Sequence, residues 1–449
     1  MKKGLSKTLL SVIAVLMAVL AFFTFARFSV GINRYNSILG AIDTDYDLSG
    51  GTAYTLTLAG DNLEDVENVD EVLNTLKTRL TALGYQTFSV KALSDADLDE
   101  HADYDIRIEL RGNVNEYGEV DTSVLASDVA VAAAYGEIKF YGGTSSSPTE
   151  EILTDGKAVK SATYKGVYAT VSGSAYRVDI NFSDYGYDTI MELMGDSSYY
   201  LKITLGDTVL MSGDGAISKA SFDGRSLSIS TSTETYARQA ALQIESGGLA
   251  YKYDISEGEA ISSPYGDNIA TVSVIAILAI AVLFIAYAFV KYHGFGLAYA
   301  FSTVLFVLLY IAMLVAVPGV KVAIGGVFGI IVALILTVVG TEKVGAVIKA
   351  EYARGKTVRS AVKAGFKGAL APTLVSCAAA LVTALLILAF ATGTLKSFAV
   401  TLAIGSVLSA VTTLILHRMF SSLLLSATGY KEGFINLERT NDVSAETEE

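Results

Sequence analysis

Two ionisable side chains stand next to each other in an apolar run: Glu342 and Lys343 follow Val322 to Gly340 and precede Val344, Gly345, Ala346, Val347 and Ile348. Charge inside a membrane span is costly, so such residues are functional candidates. The chemistry they offer is proton coupling, with a carboxyl that can be charged or neutral beside a cation that favours its charged form. A second reading stays open. Val322 to Gly340 is by itself nearly long enough to cross a hydrocarbon core, which takes about 20 residues. Glu342 and Lys343 would then lie at the cytoplasmic interface, with Lys343 snorkelling into water. Depth in the span separates the two readings. Adjacent helical residues also point about 100° apart, so the pair need not touch.

No second chemistry emerges from the rest of the chain. Cys377 is the single cysteine, which excludes an internal disulfide and a thiolate metal cluster. The three histidines, His101, His293 and His417, are scattered. There is no phosphate loop, no Ser/His/Asp arrangement and no metal-ligand spacing, so the expectation is a protein that is not an enzyme and holds no cofactor. A net charge of -13 and an isoelectric point near 4.8 speak against nucleic acid as a partner.

The elements that would position Glu342 follow from hydropathy. The chain has 449 residues, 52% hydrophobic and 18% charged, with mean hydropathy +0.47. That balance suits a membrane domain joined to a soluble one. MKKGLSK precedes the apolar run 8–26, which reads as an uncleaved signal anchor with Lys2, Lys3 and Lys7 inside. Five further spans are expected at 269–290, 295–317, 322–348, 374–390 and 397–416. Six spans place both termini in the cytoplasm. The segment 349–373 is a basic cytoplasmic linker, with Lys349, Arg354, Lys356, Arg359, Lys363 and Lys367 against Glu351. The tail 419–449 ends in NDVSAETEE and is polar and acidic. Small residues at helical spacing, Gly325, Gly326 and Gly329 in one span and Thr401, Gly405, Ser409 and Thr412 in another, read as packing seams.

Residues 34–268 form an extracytoplasmic domain between the first two spans. Tyr54, Leu56 and Leu58 share one strand face just after Gly50 and Gly51, and Asp47 with these glycines reads as a strand-entry turn. Val69, Val72, Leu73, Leu76, Leu80 and Leu83 keep helical spacing up to a stop at Gly84. Strand patterns recur at Ile106 to Leu110, YRVDINF, YLKITL and Ser226 to Ser230, with helices at Tyr185 to Met194 and Glu234 to Gly247. The fold class expected is therefore a polytopic α-helical membrane protein with a large α+β, ferredoxin-like outer domain. Its base covers about 46–111 and 174–255, with an insertion subdomain over about 112–173. Tyr85, Tyr104, Tyr185, Tyr187, Tyr199 and Tyr200 make the domain tyrosine-rich; one reading is aromatic contact with unfolded chains, and core packing is the expectation for most of them.

On these motifs the chain resembles the SecD family of the bacterial protein translocase, within the RND superfamily. GKTVRSAVKAGFKGALAPTL and ILAFATGTLKSFAVTLAIGSVLSAVTTLILHRMF are similar to that family's linker and last two spans. YDLSGGTAYTL resembles its D-L-x-G-G segment, with Asp47, Gly50 and Gly51 in register, and ARQAALQIESGGLAYKYDI resembles the exit from its outer domain. The family carries an acid in the fourth span within a motif like G-x-x-V-D-A-N and a D-A-N in the fifth. In this chain the fifth-span position reads Val375, Ser376, Cys377, and in the fourth Lys343 or Val339 falls in register, leaving Glu342 as the acid nearby.

The resemblance implies an RND-type half unit in the bacterial cell membrane. Its expected role is to help complete Sec-dependent protein export with the proton gradient. The implied partners are a SecF-like membrane subunit, a SecYEG-type channel, a SecA-type motor ATPase and unfolded preproteins. Two alternatives stand beside it: a scaffold of the same complex without proton coupling, and an RND-type exporter of small molecules or lipids.

Overall fold

The computed structural model describes residues 3–30, 33–59, 69–93, 105–112, 122–136, 138–153, 158–170, 173–194, 199–206, 208–212, 216–231, 233–246, 248–249, 251–429, 434 and 436–437. His101, Tyr104 and the acidic end of the tail lie outside these residues. Contacts divide the chain into two compact units, Gly51–Ile261 and the pair of segments Met1–Gly50 with Ser262–Glu449.

In chain order the helix α1 (Lys3–Phe25) leads to the hairpin β1 (Phe28–Val30) and β2 (Asn33–Tyr35), the short helix α2 (Tyr46–Ser49) and strand β3 (Gly51–Leu58). Then come α3 (Val69–Ala82), β4 (Phe88–Ala92), β5 (Ile106–Leu110) and α4 (Thr122–Ala132). Strands β6 (Ile138–Gly143), β7 (Glu150–Leu153), β8 (Val159–Thr170) and β9 (Gly173–Phe182) follow, then α5 (Asp184–Met194), β10 (Tyr200–Leu205) and β11 (Thr208–Ser212). The soluble elements end with β12 (Phe222–Asp223), β13 (Ser226–Thr231), α6 (Glu234–Ser246), β14 (Tyr253–Ile255) and β15 (Glu259–Ile261). Helices complete the chain: α7 (Ile269–Tyr292), α8 (Gly296–Ala316), α9 (Ile324–Ala353), α10 (Val358–Phe390), α11 (Gly393–Val411) and α12 (His417–Thr428).

The unit Gly51–Ile261 contains two cores. The first has sheet order β14-β3-β5-β4, all pairs antiparallel. Ile106, Ile108 and Leu110 alternate inward from β5, where they meet Leu76 and Leu80 of α3 and Leu125 and Val129 of α4. Helix α3 stops where the sequence places its breaker, at Gly84, whose φ of +100° suits glycine. Leu56 is buried on β3 beside Tyr54, while Leu58 is only partly covered. The second core joins the sheets β11-β10-β6-β7 and β12-β13-β9-β8 to α5 and α6 around Phe140, Phe182 and Ile203. Residues 112–173 contribute α4 to the first core and β6, β7 and β8 to the second, where β6 pairs with β10 and β8 with β9. Of the tyrosines singled out above, Tyr199 is buried, Tyr187 packs on the second core, Tyr85 donates to Asp128 Oδ2 at 2.7 Å, and Tyr185 is exposed.

The other unit is mainly helical, with the β1–β2 hairpin near its start. Among the described residues, five stretches are long and apolar enough to cross a membrane: Gly4–Phe25, Ile269–Ala316, Ile324–Ala353, Val358–Phe390 and Gly393–Thr428. The second of them holds both α7 and α8, which meet at the 3-10 turn His293–Phe295. The basic segment 349–373 is helical except for a turn. Gly355 at φ +93° ends α9, and the Thr357 hydroxyl accepts from the Ser360 amide at 3.4 Å to begin α10.

Helices α9 and α11 pack along the small-residue seam. A Cβ on Gly325 would lie 2.2 Å from the Thr394 carbonyl oxygen, one on Gly326 2.5 Å from Ser397 Oγ, and one on Gly329 2.1 Å from Thr401 Oγ1. Glycine therefore sets the approach of these helices. Between α11 and α12 the backbone forms a π-turn over Thr412–Leu416, with the His417 amide donating to the Thr412 carbonyl. The sequence suggests a last span over 397–416; the helix instead continues through this turn to Thr428, because the one-residue insertion is absorbed without a break.

Candidate functional site

Helix α9 carries Glu342, and the structure gives the carboxylate a partner from α7. Lys291 Nζ makes an ion pair with Glu342 Oε1 and also donates to Tyr287 Oη at 2.8 Å. Tyr292 Oη donates to the other carboxylate oxygen, Oε2, at 3.1 Å, and Tyr287 Oη reaches Oε1 at 3.4 Å. Lys343 is exposed and makes no ion pair among the described residues. The adjacent pair of the sequence is thus not brought together; the helical rotation of about 100° per residue sends the two side chains apart.

Gly345 lies three residues on from Glu342, on the same helix face. A Cβ there would sit 2.2 Å from Tyr299 Oη and 2.5 Å from Tyr292 Oη, so glycine lets both hydroxyls reach α9. The two rings stack at 4.9 Å and 9°, and Tyr299 donates to the Thr341 carbonyl at 3.4 Å. Both tyrosines are fully buried, whereas the side chains of Lys291 and Glu342 keep 36% and 25% of their exposure. The ion pair therefore stands at the rim of an aromatic core rather than inside it. Glu342 is eighteen residues after Ile324, about 27 Å along a helix rising about 1.5 Å per residue. Lys291 is correspondingly near the end of α7. In an upright span about 30 Å deep, the pair sits next to the boundary distant from Ile324.

The opposite end of α9 is held by the D-L-x-G-G segment. Asp47 Oδ2 accepts from the Ile324 amide at 2.9 Å, at the first residue of α9, and Ser397 Oγ accepts from the preceding Ala323 amide at 2.9 Å. A carboxylate at this position complements the partial positive charge of the helix start. Val322 continues the attachment: its amide donates to the Asp43 carbonyl at 2.8 Å, and its carbonyl accepts from the Asp45 amide at 3.0 Å. Leu48 plugs an apolar core with Ala281, Phe306, Tyr310 and Leu314. Gly50 follows at φ +71°, a conformation closed to most side chains, and a Cβ on Gly51 would meet the Leu110 carbonyl oxygen at 2.3 Å. These residues do more than turn into a strand, since Asp47 caps the helix that carries Glu342.

Burial pushes the Asp47 carboxyl up to about 6, with the Ile324 amide opposing the rise and the nearby Asp45 adding to it. Because this value lies above the ordinary 3.8, ionising Asp47 strengthens its bond to the Ile324 amide but costs the folded state more through burial. The stabilisation from its neutral form is complete below the ordinary value and is lost as pH climbs through about 6. Amide exchange at the start of α9 is therefore expected to quicken as the pH rises from about 4 to about 7, after correction for intrinsic exchange. Asp47→Asn keeps an oxygen for Ile324 and removes the titration, so its corrected exchange should be flat over that range. An unchanged slope in Asp47→Asn would assign the pH dependence to another group.

Two features escape a linear reading. Lys291 lies 51 residues from Glu342 and only folding joins them. His417 is buried against Tyr299, Phe366 and Ser302, a contact set that its isolation in sequence conceals. Its signal was the i, i+4 series Thr413, His417, Ser421, which extends the polar face of α11.

No family model matches the chain. Over 196 residues it is 26% identical to the protein translocase subunit SecD of Escherichia coli K12, an alignment covering 44% of this chain and 32% of that protein. SecD of Acidaminococcus fermentans is 27% identical over 191 residues, covering 42% of this chain and 46% of that protein. For SecD of Dictyoglomus turgidum the figures are 27% over 196 residues, 44% and 49%. The aligned region thus spans about a third to a half of these relatives. A crystal structure of SecDF in a super-membrane-facing form superposes with a TM-score of 0.71 at 21% identity, covering 96% of this chain and 58% of that one. At that identity the likeness is one of fold.

Proposed function

We propose, for a membrane protein of the SecD/SecF family, that this chain is an accessory component of protein export that helps preproteins leave the translocation channel on the outer face. The observation that carries the reading is the pairing of SecD-like sequence with a SecDF-like fold over nearly the whole chain. In this reading α1, α7, α8, α9, α10 and the continuous helix from α11 to α12 are six spans with both termini in the cytoplasm. Charge supports the orientation: Lys349, Arg354, Lys356, Arg359, Lys363 and Lys367 gather at one end of the α9–α10 pair. The unit Gly51–Ile261 is then extracytoplasmic. A ferredoxin-like base agrees with the element order β3-α3-β4-β5-α4 and the sheet order β14-β3-β5-β4. A SecF-like membrane subunit is the partner, with a SecYEG-type channel and a SecA-type ATPase acting upstream.

Glu342 is the group to which we assign proton coupling, with Lys291 as its counter-charge. A carboxyl held by a lysine and a tyrosine hydroxyl can release its partners when it gains a proton, which frees α7 from α9 at one end. One elementary charge crossing the full potential releases roughly 2.3 kcal/mol per 100 mV. Two observations favour the uncoupled scaffold as the second reading: Glu342 lies at the boundary end of α9 with its ion pair partly exposed, the interfacial position, and the fifth-span position is Val375, Ser376 and Cys377, with Cys377 buried against Ser409 rather than near a carboxylate.

Photocrosslinking tests the export role. A photoreactive residue placed at exposed Tyr185 or Tyr236 should link to a preprotein arrested during export and not to a cytoplasmic protein of equal abundance. Crosslinks absent at both positions, while the channel itself crosslinks to the same preprotein, would contradict it.

A further inference from the structure

The strongest unassigned feature is the buried polar face at the π-turn. His417 is fully buried, and its Nδ1 lies 3.0 Å from Ser302 Oγ. Ser302 has one proton, and its hydroxyl donates that proton to the Ala298 carbonyl at 2.6 Å. Ser302 must therefore accept from His417, which places the imidazole hydrogen on Nδ1 and leaves Nε2 with a bare lone pair. Nε2 is buried without a hydrogen-bond partner among the described residues.

Four hydroxyls in the same region share that condition: Thr373 on α10, Thr412 and Thr413 on the π-turn, and Ser421 on α12. A π-turn has more than four residues per turn, so Thr412, Thr413 and His417 fall on one face, and Ser421 follows one helical turn later. The helix α10 runs alongside. Phe366 meets the His417 ring at 5.7 Å and Cys377 Sγ lies 3.8 Å from Ser409 Oγ, which sets Thr373 opposite the π-turn between those two contacts. From the third side, the missing side chain of Gly340 makes room for Thr413.

Buried polar atoms in proteins are satisfied by protein or by ordered water. Orphan hydroxyls beside an orphan acceptor make a site that is polar enough to hold water. We propose that Thr373, Thr412, Thr413 and Ser421 enclose bound water that hydrogen-bonds to His417 Nε2, making His417 a hydrated proton acceptor inside the helical unit. The reaction is proton transfer alone: a hydrated proton arriving at Nε2 gives an imidazolium with Nδ1–H still directed at Ser302, and its departure restores the neutral ring. The titratable group facing the ring from α8 is Tyr299, with Tyr292 stacked behind it and Glu342 beyond. Helix α10 presents Phe366, while its Lys363 and Lys367, together with Lys7 of α1 and Arg418 of α12, are exposed. The inference stands on this geometry and not on the export role, so either can fail without the other.

The test is solid-state NMR of the full chain in lipid bilayers with 15N-labelled histidine and ring-13C-labelled phenylalanine. Three histidines are present, and His417→Gln identifies one resonance set. The expected result is a Nδ1–H tautomer that receives magnetisation from water several-fold faster than the labelled ring of Phe366, and that becomes imidazolium between about pH 8 and about pH 4. Thr412→Val with Thr413→Val, which keeps side-chain shape, should slow that water transfer at least about twofold while leaving the His417 resonance in place. If His417→Gln fails to fold, the resonances of His101 and His293 can be assigned by His101→Gln and His293→Gln instead. A His417 ring as slow to receive magnetisation as Phe366, or one that stays neutral down to about pH 4, overturns the proposal.

Discussion

Gly329→Leu is expected to push α9 away from α11 and lower stability by about 2–4 kcal/mol. The Cβ alone would stand 2.1 Å from Thr401 Oγ1, 2.7 Å from the Phe398 carbonyl oxygen and 3.1 Å from the Leu402 amide nitrogen. The hydroxyl could rotate away, but the two backbone atoms belong to a helix and cannot. Separation of the helices also breaks the bond from Thr401 Oγ1 to the Gly326 carbonyl at 3.0 Å. Tyr310, whose hydroxyl donates to the Thr401 carbonyl, would lose its partner too. Thermal melting of the detergent-solubilised chain measures the effect, with exposed Gly4→Ala as a control that meets nothing within 4 Å. Melting of Gly329→Leu indistinguishable from that of the control would mean that the seam does not set the helix spacing.

Lys291→Met should cost about 1–3 kcal/mol, and the double variant Lys291→Met with Glu342→Gln should recover much of it. Methionine keeps the length of the lysine stem, so the loss comes mainly from the charge. Once the cation is gone, Glu342 retains Tyr292 as a donor at 3.1 Å but has no counter-charge among the described residues. The recovery distinguishes two environments. A carboxylate stranded in hydrocarbon is expensive, and neutralising it restores stability. A carboxylate at a watery rim loses little, and then the cycle shows an interaction below about 0.5 kcal/mol. The partial exposure of both side chains bounds the effect below that of a fully buried pair.

The soluble elements were legible because their signals are local. Val69 to Leu83 repeats at helical spacing up to Gly84, and α3 occupies Val69–Ala82. YRVDINF and YLKITL alternate, and β9 and β10 contain them. The long apolar helices were legible from hydropathy alone. What connects them was not. The ion pair of Glu342 depends on which face of α9 meets α7, and a sequence offers Lys343 as the obvious neighbour although helix geometry turns it outward. Gly345 carried a faint sign, since a glycine one turn from a charged residue makes room for a bulky partner. Asp47 looked like part of a turn because its function as a cap depends on Ile324, 277 residues away. The π-turn left no sign, because no residue type demands one; Thr412 and Thr413 are compatible with an ordinary helix.

Helix α9 is a rod whose two ends are held by different chemistry. At Ile324 a carboxyl and a hydroxyl fix the start, and near Glu342 a lysine and two tyrosines grip a titratable group. Protonation at Glu342 would loosen the second grip without disturbing the first.

Export of a secreted reporter into membrane vesicles, with the proton gradient intact or collapsed, tests this most directly. The unmodified chain is expected to raise export only when the gradient is intact, and Glu342→Gln, at equal membrane levels, should remove most of that gradient-dependent gain. A Glu342→Gln chain that responds to the gradient as the unmodified one does would contradict the coupling assigned to Glu342, and a reporter indifferent to the chain under both conditions would contradict the export role itself.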